Sequence, residues 1–502
     1  MSAHVQSSTV LGVDGHRVTV EVHVANGLPS FTVVGLPDVS CREARDRVRA
    51  AVQTSGFTWP QRRVTVNLAP TNLRKVGSSL DLAIAVAVLL ATDELRAEQV
   101  DGLGFLGELG LDGSVREVPG VLPAVDALEG LRPVVPLESL AEARLVRPDA
   151  QGAWSLGGLV ATLTGKKAWP PAPPARGSFE SPPDPDLADV QGQLIARAAL
   201  EVAAAGGHHL LMTGPPGAGK TMLASRLCGL LPDLDEREAL DVSRVHSAAG
   251  LLSANGGLRR RPPFRSPHHT ASLVALVGGG SSMLRPGEVS LASGGVLFLD
   301  EMGEFPAGHL DALRQPLEEG LIRVARANTN VTLPARFLLV GATNPCPCGL
   351  GRWGDCICTP NQIARYRRRM SGPLLDRFDL RIAVDPPRPD AVLGTGSAGE
   401  SSEVVRGRVA AARQRAVERG VSANRSLDAA ALDRYAPLRP SGRSLLRDAL
   451  EAGRLSMRGA QRVRAVALTL GDLAGLEGPL DDERLGQALS LRSAQRRSEV
   501  LA

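Results

Sequence analysis

The eight residues Gly214-Pro215-Pro216-Gly217-Ala218-Gly219-Lys220-Thr221 constrain this chain more than any other feature. They match the phosphate-loop pattern, follow the apolar run His209–Thr213, and open a helical pattern near Thr221. Such a loop needs a buried strand behind it and helices around it. Very apolar runs at His209–Thr213, Gly295–Leu299 and Phe337–Ala342, separated by helical segments, predict an α/β core with a parallel sheet covered on both faces. Backbone N–H groups freed by the glycines can curl around the β- and γ-phosphates of ATP at a helix N-terminus, where aligned peptide dipoles favour negative charge. Lys220 would neutralise phosphate charge, and Thr221 would ligate Mg²⁺.

A phosphate loop works with a second carboxylate at the tip of a neighbouring strand. Val296–Glu301 supplies it: Asp300 would orient Mg²⁺, and Glu301 would polarise the attacking water. Asn344 follows the run Phe337–Ala342, and its amide could hydrogen-bond both that water and the γ-phosphate. Gly372–Asp379 then carries Arg377 just after a proline turn. A guanidinium delivered to a neighbour's γ-phosphate is worth about 10³–10⁵ in rate, and implies a ring of subunits. The competing reading is a local ion pair with Asp376 or Asp379.

The set Gly214–Thr221, Val296–Glu301, Asn344 and Arg377, followed by a helical lid, resembles an AAA+ ATPase. Pro267–Ser272 (PHHTAS), Pro286–Ala292 (PGEVSLA), Gly341–Gly349 (GATNPCPCG) and Ser371–Phe378 are similar to the magnesium-chelatase-like ATPases of the ComM/YifB type. Val34–Asp38 and Val66–Pro70 extend the resemblance across nearly the whole chain. It implies ATP and Mg²⁺ as cofactors, a homo-oligomer of hexameric form, and DNA branch migration in homologous recombination of incoming DNA. It also implies that Arg458, in Leu455–Arg462, is the lid arginine that reads the γ-phosphate. Arg462, one helical turn further on, is its rival, since positions i and i+4 share a face.

With 502 residues, the chain has room for about three units. Residues 1–165 mix alternating strands (Arg17–Val24, Arg63–Leu68) with a helical pattern over Val39–Ser55, and read as an α+β domain. Seven prolines between 166 and 186 mark a linker; the ATPase core covers 187–390, and an arginine- and alanine-rich helical unit covers 403–502. The N-terminal domain is similar to the proteolytic domain of Lon-type proteases around Lys75–Ser79 and Gly107–Gly120. Ser79 falls on the nucleophile's position, but Leu122 stands where the activating lysine is expected, and leucine accepts no proton. The domain is therefore expected to be inactive, a fold reused for assembly or substrate contact.

The formal net charge is only +4, so any nucleic-acid contact must come from local clusters. Arg259, Arg260, Arg261 and Arg265 form one candidate; Arg323 and Arg326, in an expected hairpin with an Asn-containing turn, form another. Both are expected to protrude from the core and track the phosphate backbone, because 3% aromatic residues leave little for base stacking. Cys346, Cys348, Cys356 and Cys358 could close a tetrahedral zinc site or remain reduced structural thiols. The longest apolar run, Leu82–Ala91, is about half of what a membrane span needs, and no secretion signal is evident, so a cytoplasmic location without membrane contact is expected. The reading is a ring-forming ATPase and DNA helicase or translocase. The alternative is a chelatase-like motor that remodels a protein partner.

Overall fold

The computed structural model describes residues 2–173, 184–252, 257–280, 284–326, 329–387 and 399–493. Its centre is a five-stranded, wholly parallel sheet. In spatial order the strands are Phe264–Arg265, Val296–Leu299, Leu338–Thr343, Leu210–Thr213 and Leu380–Ala383. The inner strands are buried along their length except at Thr213, since helices lie on both faces. The phosphate-loop strand sits between Leu338–Thr343 and Leu380–Ala383, so the loops at the carboxyl ends of three neighbouring strands converge there.

The last unit is helical: Ser402–Glu418, Ala429–Tyr435, Pro440–Glu451, Met457–Leu473 and Asp482–Ser493. It does not have a core of its own. Val405, Val409, Val463 and Val466 share one apolar cluster with Leu210, Met212, Leu200 and Leu227 of the ATPase core. At the centre of this joint Asp379 is fully buried. Burial alone would raise its carboxyl, but Arg425 at 2.8 Å, His208 at 3.7 Å and Arg462 at 3.4 Å pull it well below the usual carboxylate range. Arg492, on the last helix, donates to the carbonyl oxygen of Phe378 at 2.6 Å. The segment carrying Arg377 is thus gripped from the lid side.

Residues 2–165 build a seven-stranded mixed sheet around separate apolar clusters. The helix Asp81–Ala91 contains the longest apolar run and is buried on every side except near its end, as a core helix. Among the described residues no helix is long and apolar enough to cross a membrane. This sheet meets the ATPase core at two places. Gly120 N–H donates to Ser247 O at 2.8 Å, and Arg244 pairs with Asp126 at 2.5 Å. In addition, the tight turn between strands Ser2–Leu11 and Asp14–Ala25 rests on the hairpin Leu321–Arg326/Thr329–Pro334. Gly12, at φ +67°, approaches so closely that a Cβ there would lie 2.3 Å from Val331 Cγ1. Residues 174–183 of the proline-rich stretch lie outside the described residues, but its last part is docked: Asp186 caps the next segment and accepts from Ser402 N–H at 2.8 Å.

Candidate active site

The phosphate loop opens the helix Lys220–Leu230, with Gly217 and Gly219 in the left-handed conformation that the tight curl requires. A cleft of about 440 Å³ is lined by Pro216 to Met222 together with Asp300, Glu301, Thr343 and Asn344. Lys220 Nζ donates to the carbonyl oxygens of Gly214 (2.7 Å) and Pro215 (2.9 Å) and to Asn344 Oδ1 (3.1 Å). Burial lowers its pKa, while Asp300 and Glu301 oppose the shift. Thr221 Oγ1 donates to Asp300 Oδ2 at 2.6 Å, which places the two oxygens where one small divalent cation can take both.

Glu301 follows Asp300 with a φ of +49°, a left-handed conformation that is costly for a side chain with a Cβ and clusters at functional sites. The turn aims its carboxylate at His269 Nδ1, 3.2 Å away. His269 itself stacks on His268, with ring centroids 4.1 Å apart. In the sequence these histidines figure only in the PHHTAS wording; no spacing announces that they meet Glu301, because the contact joins the end of the edge strand to the tip of its neighbour. If Glu301 activates the attacking water, as its position after Asp300 leads us to expect, His269→Ala should lower kcat for ATP by about tenfold or more, with KM changed much less, because only the orientation of that carboxylate is lost. An unchanged kcat in steady-state assays would contradict this role.

Two arginines do not reach the cleft. Strand Leu380–Ala383 runs parallel to Leu210–Thr213 in the register Leu210↔Leu380, so Arg377 lies beyond the amino end of the sheet and Lys220 beyond its carboxyl end. Four residues of strand span roughly 13 Å between them. Arg377, 8% exposed, pairs with Glu318, not with Asp376 or Asp379, which hold Arg381 and the Arg425/Arg462 pair. Arg458 pairs with the same Glu318 oxygen at 3.2 Å, so it is not at the γ-phosphate position of its own chain. Arg462 is committed inward, donating to Arg425 O at 2.7 Å.

The four cysteines, scattered over thirteen positions, come together: all four sulfurs lie within 4.8 Å of one another. Cys346 and Cys348 are 3.3 Å apart, and each lies 3.6 Å from Cys356. Tetrahedral zinc at about 2.3 Å from each sulfur asks for separations of about 3.8 Å, so the donor set fits. Burial pushes the Cys346 thiol up to about 12, while the Leu350 amide and Cys346 bring Cys348 down to about 6. The cluster is seated on the phosphate loop. A Cβ on Gly349 would lie 2.7 Å from Pro216 Cδ, and Trp353 Nε1 is anchored on Asp385 at 2.7 Å.

The arginine-rich candidates separate. Arg259–Arg265 is not a protruding insertion, because Phe264–Arg265 is an edge strand of the main sheet. Two of its charges are paired within the chain: Arg265 forms a two-pronged pair with Glu288 (2.6 Å), and Arg261 is held by Asp184 and by Asp233 at 3.6 Å, while Arg259 is half-buried. Of these four arginines, Arg260 is the one that is exposed with no ion pair to a described residue. The hairpin is a two-stranded sheet separate from the main one: Ile322, Val331 and Leu333 pack inward, and Arg323 is 64% exposed in its side chain and, among the described residues, pairs with Glu319 at 3.0 Å. The side chain of Arg326 and the turn 327–328 lie outside the described residues.

The Lon-like resemblance singles out Ser79 and Leu122, and the structure places both. Ser79 lines a cavity of about 70 Å³ with Val10, Leu106, Val118 and Ala248 and no lysine. Leu122 is fully buried, and the one nearby lysine, Lys75, is sealed in the core on the Pro70 carbonyl.

Three family profiles cover most of the chain. "Magnesium chelatase, subunit ChlI" matches residues 186–392, "Subunit ChlI of Mg-chelatase" matches 20–136, and "Magnesium chelatase, subunit ChlI C-terminal" matches 399–492. The chain is similar, at 48% identity, to an uncharacterised protein of Mycobacterium tuberculosis that it covers to 97% with 97% of its own length. It is 42% identical to the competence protein ComM of Haemophilus influenzae, over 100% of this chain and 99% of that one. A shorter likeness, 30% over 38% of this chain and 25% of the relative, links it to the Arabidopsis thaliana protein described as "Probable DNA helicase MCM9". With parallel-sheet core, phosphate loop and full-length likeness in agreement, the chain belongs to the magnesium-chelatase-like AAA+ ATPases of the ComM/YifB family.

Proposed function

We propose that this protein is a ring-forming ATPase that couples hydrolysis to translocation along, or remodelling of, DNA, with branch migration during recombination or natural transformation as the form of work. The observation that carries the ring is the placement of Arg377 and Arg458 at the end of the sheet opposite Lys220: they serve a nucleotide held by the next subunit. Lys220 and the loop amides bind the phosphates, Thr221 and Asp300 hold Mg²⁺, Glu301 takes a proton from the attacking water, and Asn344 orients it. Mg²⁺, when bound, supplies charge neutralisation at the β- and γ-oxygens. The likeness to a competence protein and to a helicase supports DNA as the substrate, and the exposed Arg323 of the hairpin supports backbone contact in the ring's channel. The chelatase profile favours, as second reading, a motor that works on a protein partner.

ATP turnover measured with branched, single-stranded and duplex DNA separates the two. Stimulation by DNA supports the first; indifference to DNA supports the second. On the DNA reading, Arg323→Ala with Arg326→Ala should weaken DNA binding and flatten its salt slope by about two phosphate contacts per chain, while ATP turnover without DNA stays intact. An unaltered slope in binding titrations would remove the hairpin from the interface.

A further inference from the structure

Arg377 comes from the core and Arg458 from the first turn of the lid helix Met457–Leu473, yet both guanidinium groups end on one oxygen, Glu318 Oε1. Glu318 stands on the short helix Arg314–Glu319 and is 47% exposed, as is Arg458 at 46%, so these two groups face outward while Arg377 lies buried behind them. Its neighbour Glu319 is turned to Arg323 and does not share the load. Arg377 Nε is buried without a hydrogen-bond partner, so the carboxylate leaves one donor of that guanidinium unsatisfied. The backbone around Arg377 is held by Arg492 on the Phe378 carbonyl and by Arg425 on Asp379, which leaves side-chain rotation as the available movement.

We propose that Glu318 is an internal counter-ion standing in for the γ-phosphate of the neighbouring subunit, and that it holds Arg377 and Arg458 until ATP arrives there. This rests on the reading of both arginines as groups that act across a subunit seam. A terminal phosphate offers more charge and three acceptor oxygens, against one carboxylate oxygen serving two cations, and so draws both guanidinium groups away from Glu318. ADP has no γ-phosphate to occupy that position, and Glu318 recaptures them. Glu318 is therefore a positioning residue that makes the seam tight with ATP and loose with ADP.

The test uses the full chain. In wild type, ATP turnover per chain should rise with protein concentration, since each site is completed by a neighbour. Glu318→Gln, nearly isosteric at an exposed position, should lower the concentration of half-maximal turnover about five-fold and keep assemblies together in ADP, as read by sedimentation. Glu319→Gln should shift neither. If the half-point of Glu318→Gln stays put or rises while Arg377→Ala remains inactive, the proposal is wrong. A lower melting temperature and lower maximal turnover with no movement of the half-point would make Glu318 a structural tie only, and would equally overturn it. If Arg377→Ala is fully active, the seam reading itself fails and takes this proposal with it.

Discussion

Arg377→Ala protein should hydrolyse ATP about 10³–10⁵-fold more slowly than wild type while still binding ATP, because the cleft that receives the nucleotide is lined by Lys220 and the phosphate loop and not by Arg377. The deficit should be relieved in part by mixing. Arg377→Ala subunits retain a complete Lys220, Thr221, Asp300 and Glu301 set, whereas Glu301→Gln subunits retain the arginine. A mixed ring contains seams with one intact half from each. Recovery of turnover in the mixture, absent from either variant alone, is the expected measurement. If the mixture stays inactive, or if a diluted single chain is fully active, the arginine at the far end of the sheet is not a trans group.

The second large effect concerns the four cysteines. Their sulfurs converge beside Gly349, which packs against Pro216, so the loop that carries them leans on the phosphate loop from outside. Protein purified without chelator should contain close to one zinc per chain. Structural zinc of this kind contributes about 10–16 kcal/mol of apparent binding energy toward folding. Stripping it with a strong chelator should therefore abolish ATP binding, and not merely slow turnover, because the loop that receives the phosphates loses its outer support. Metal analysis that finds no zinc, or ATP affinity indifferent to chelation, would return the cysteines to the role of reduced thiols.

These two expectations differ in how far the sequence anticipated them. The phosphate loop was legible because its chemistry is contiguous: eight neighbouring residues make the curl, the cation and the hydroxyl, with an apolar strand before them. The hairpin Leu321–Pro334 was legible for the same reason, since inward Ile322 and Val331 alternate with outward Arg323 and Thr332 over a short stretch. The first strand, Ser2–Leu11, was not. Ser7, Ser8 and Thr9 are buried in it, and their alternation looks polar until Ser7 is seen donating to Phe105 O at 2.6 Å and Ser8 to Ala124 O at 2.7 Å. Those acceptors lie about a hundred residues away, so nothing local marks them as partners.

Charge pairing was the least legible property. A run such as Arg259–Arg265 reads as a free basic face, yet Asp184, Asp233 and Glu288 neutralise two of its members from other parts of the chain. Likewise, Asp376 and Asp379 flank Arg377 in sequence but turn to other arginines, and Glu318 takes it instead. Coulomb attraction acts through space and is strengthened by burial, so sequence neighbours have no privileged claim on a guanidinium. The sequence by itself determined that this chain binds nucleotide in an α/β core of the magnesium-chelatase-like kind, because residues in unbroken succession carry that information. Only the tertiary structure decided that His269 meets Glu301, that the cysteine loop leans on Pro216, and that Arg377 and Arg458 turn away from their own phosphate loop toward a shared carboxylate. Those relations depend on which strand ends lie at which edge of the sheet, a consequence of packing that no stretch of sequence contains.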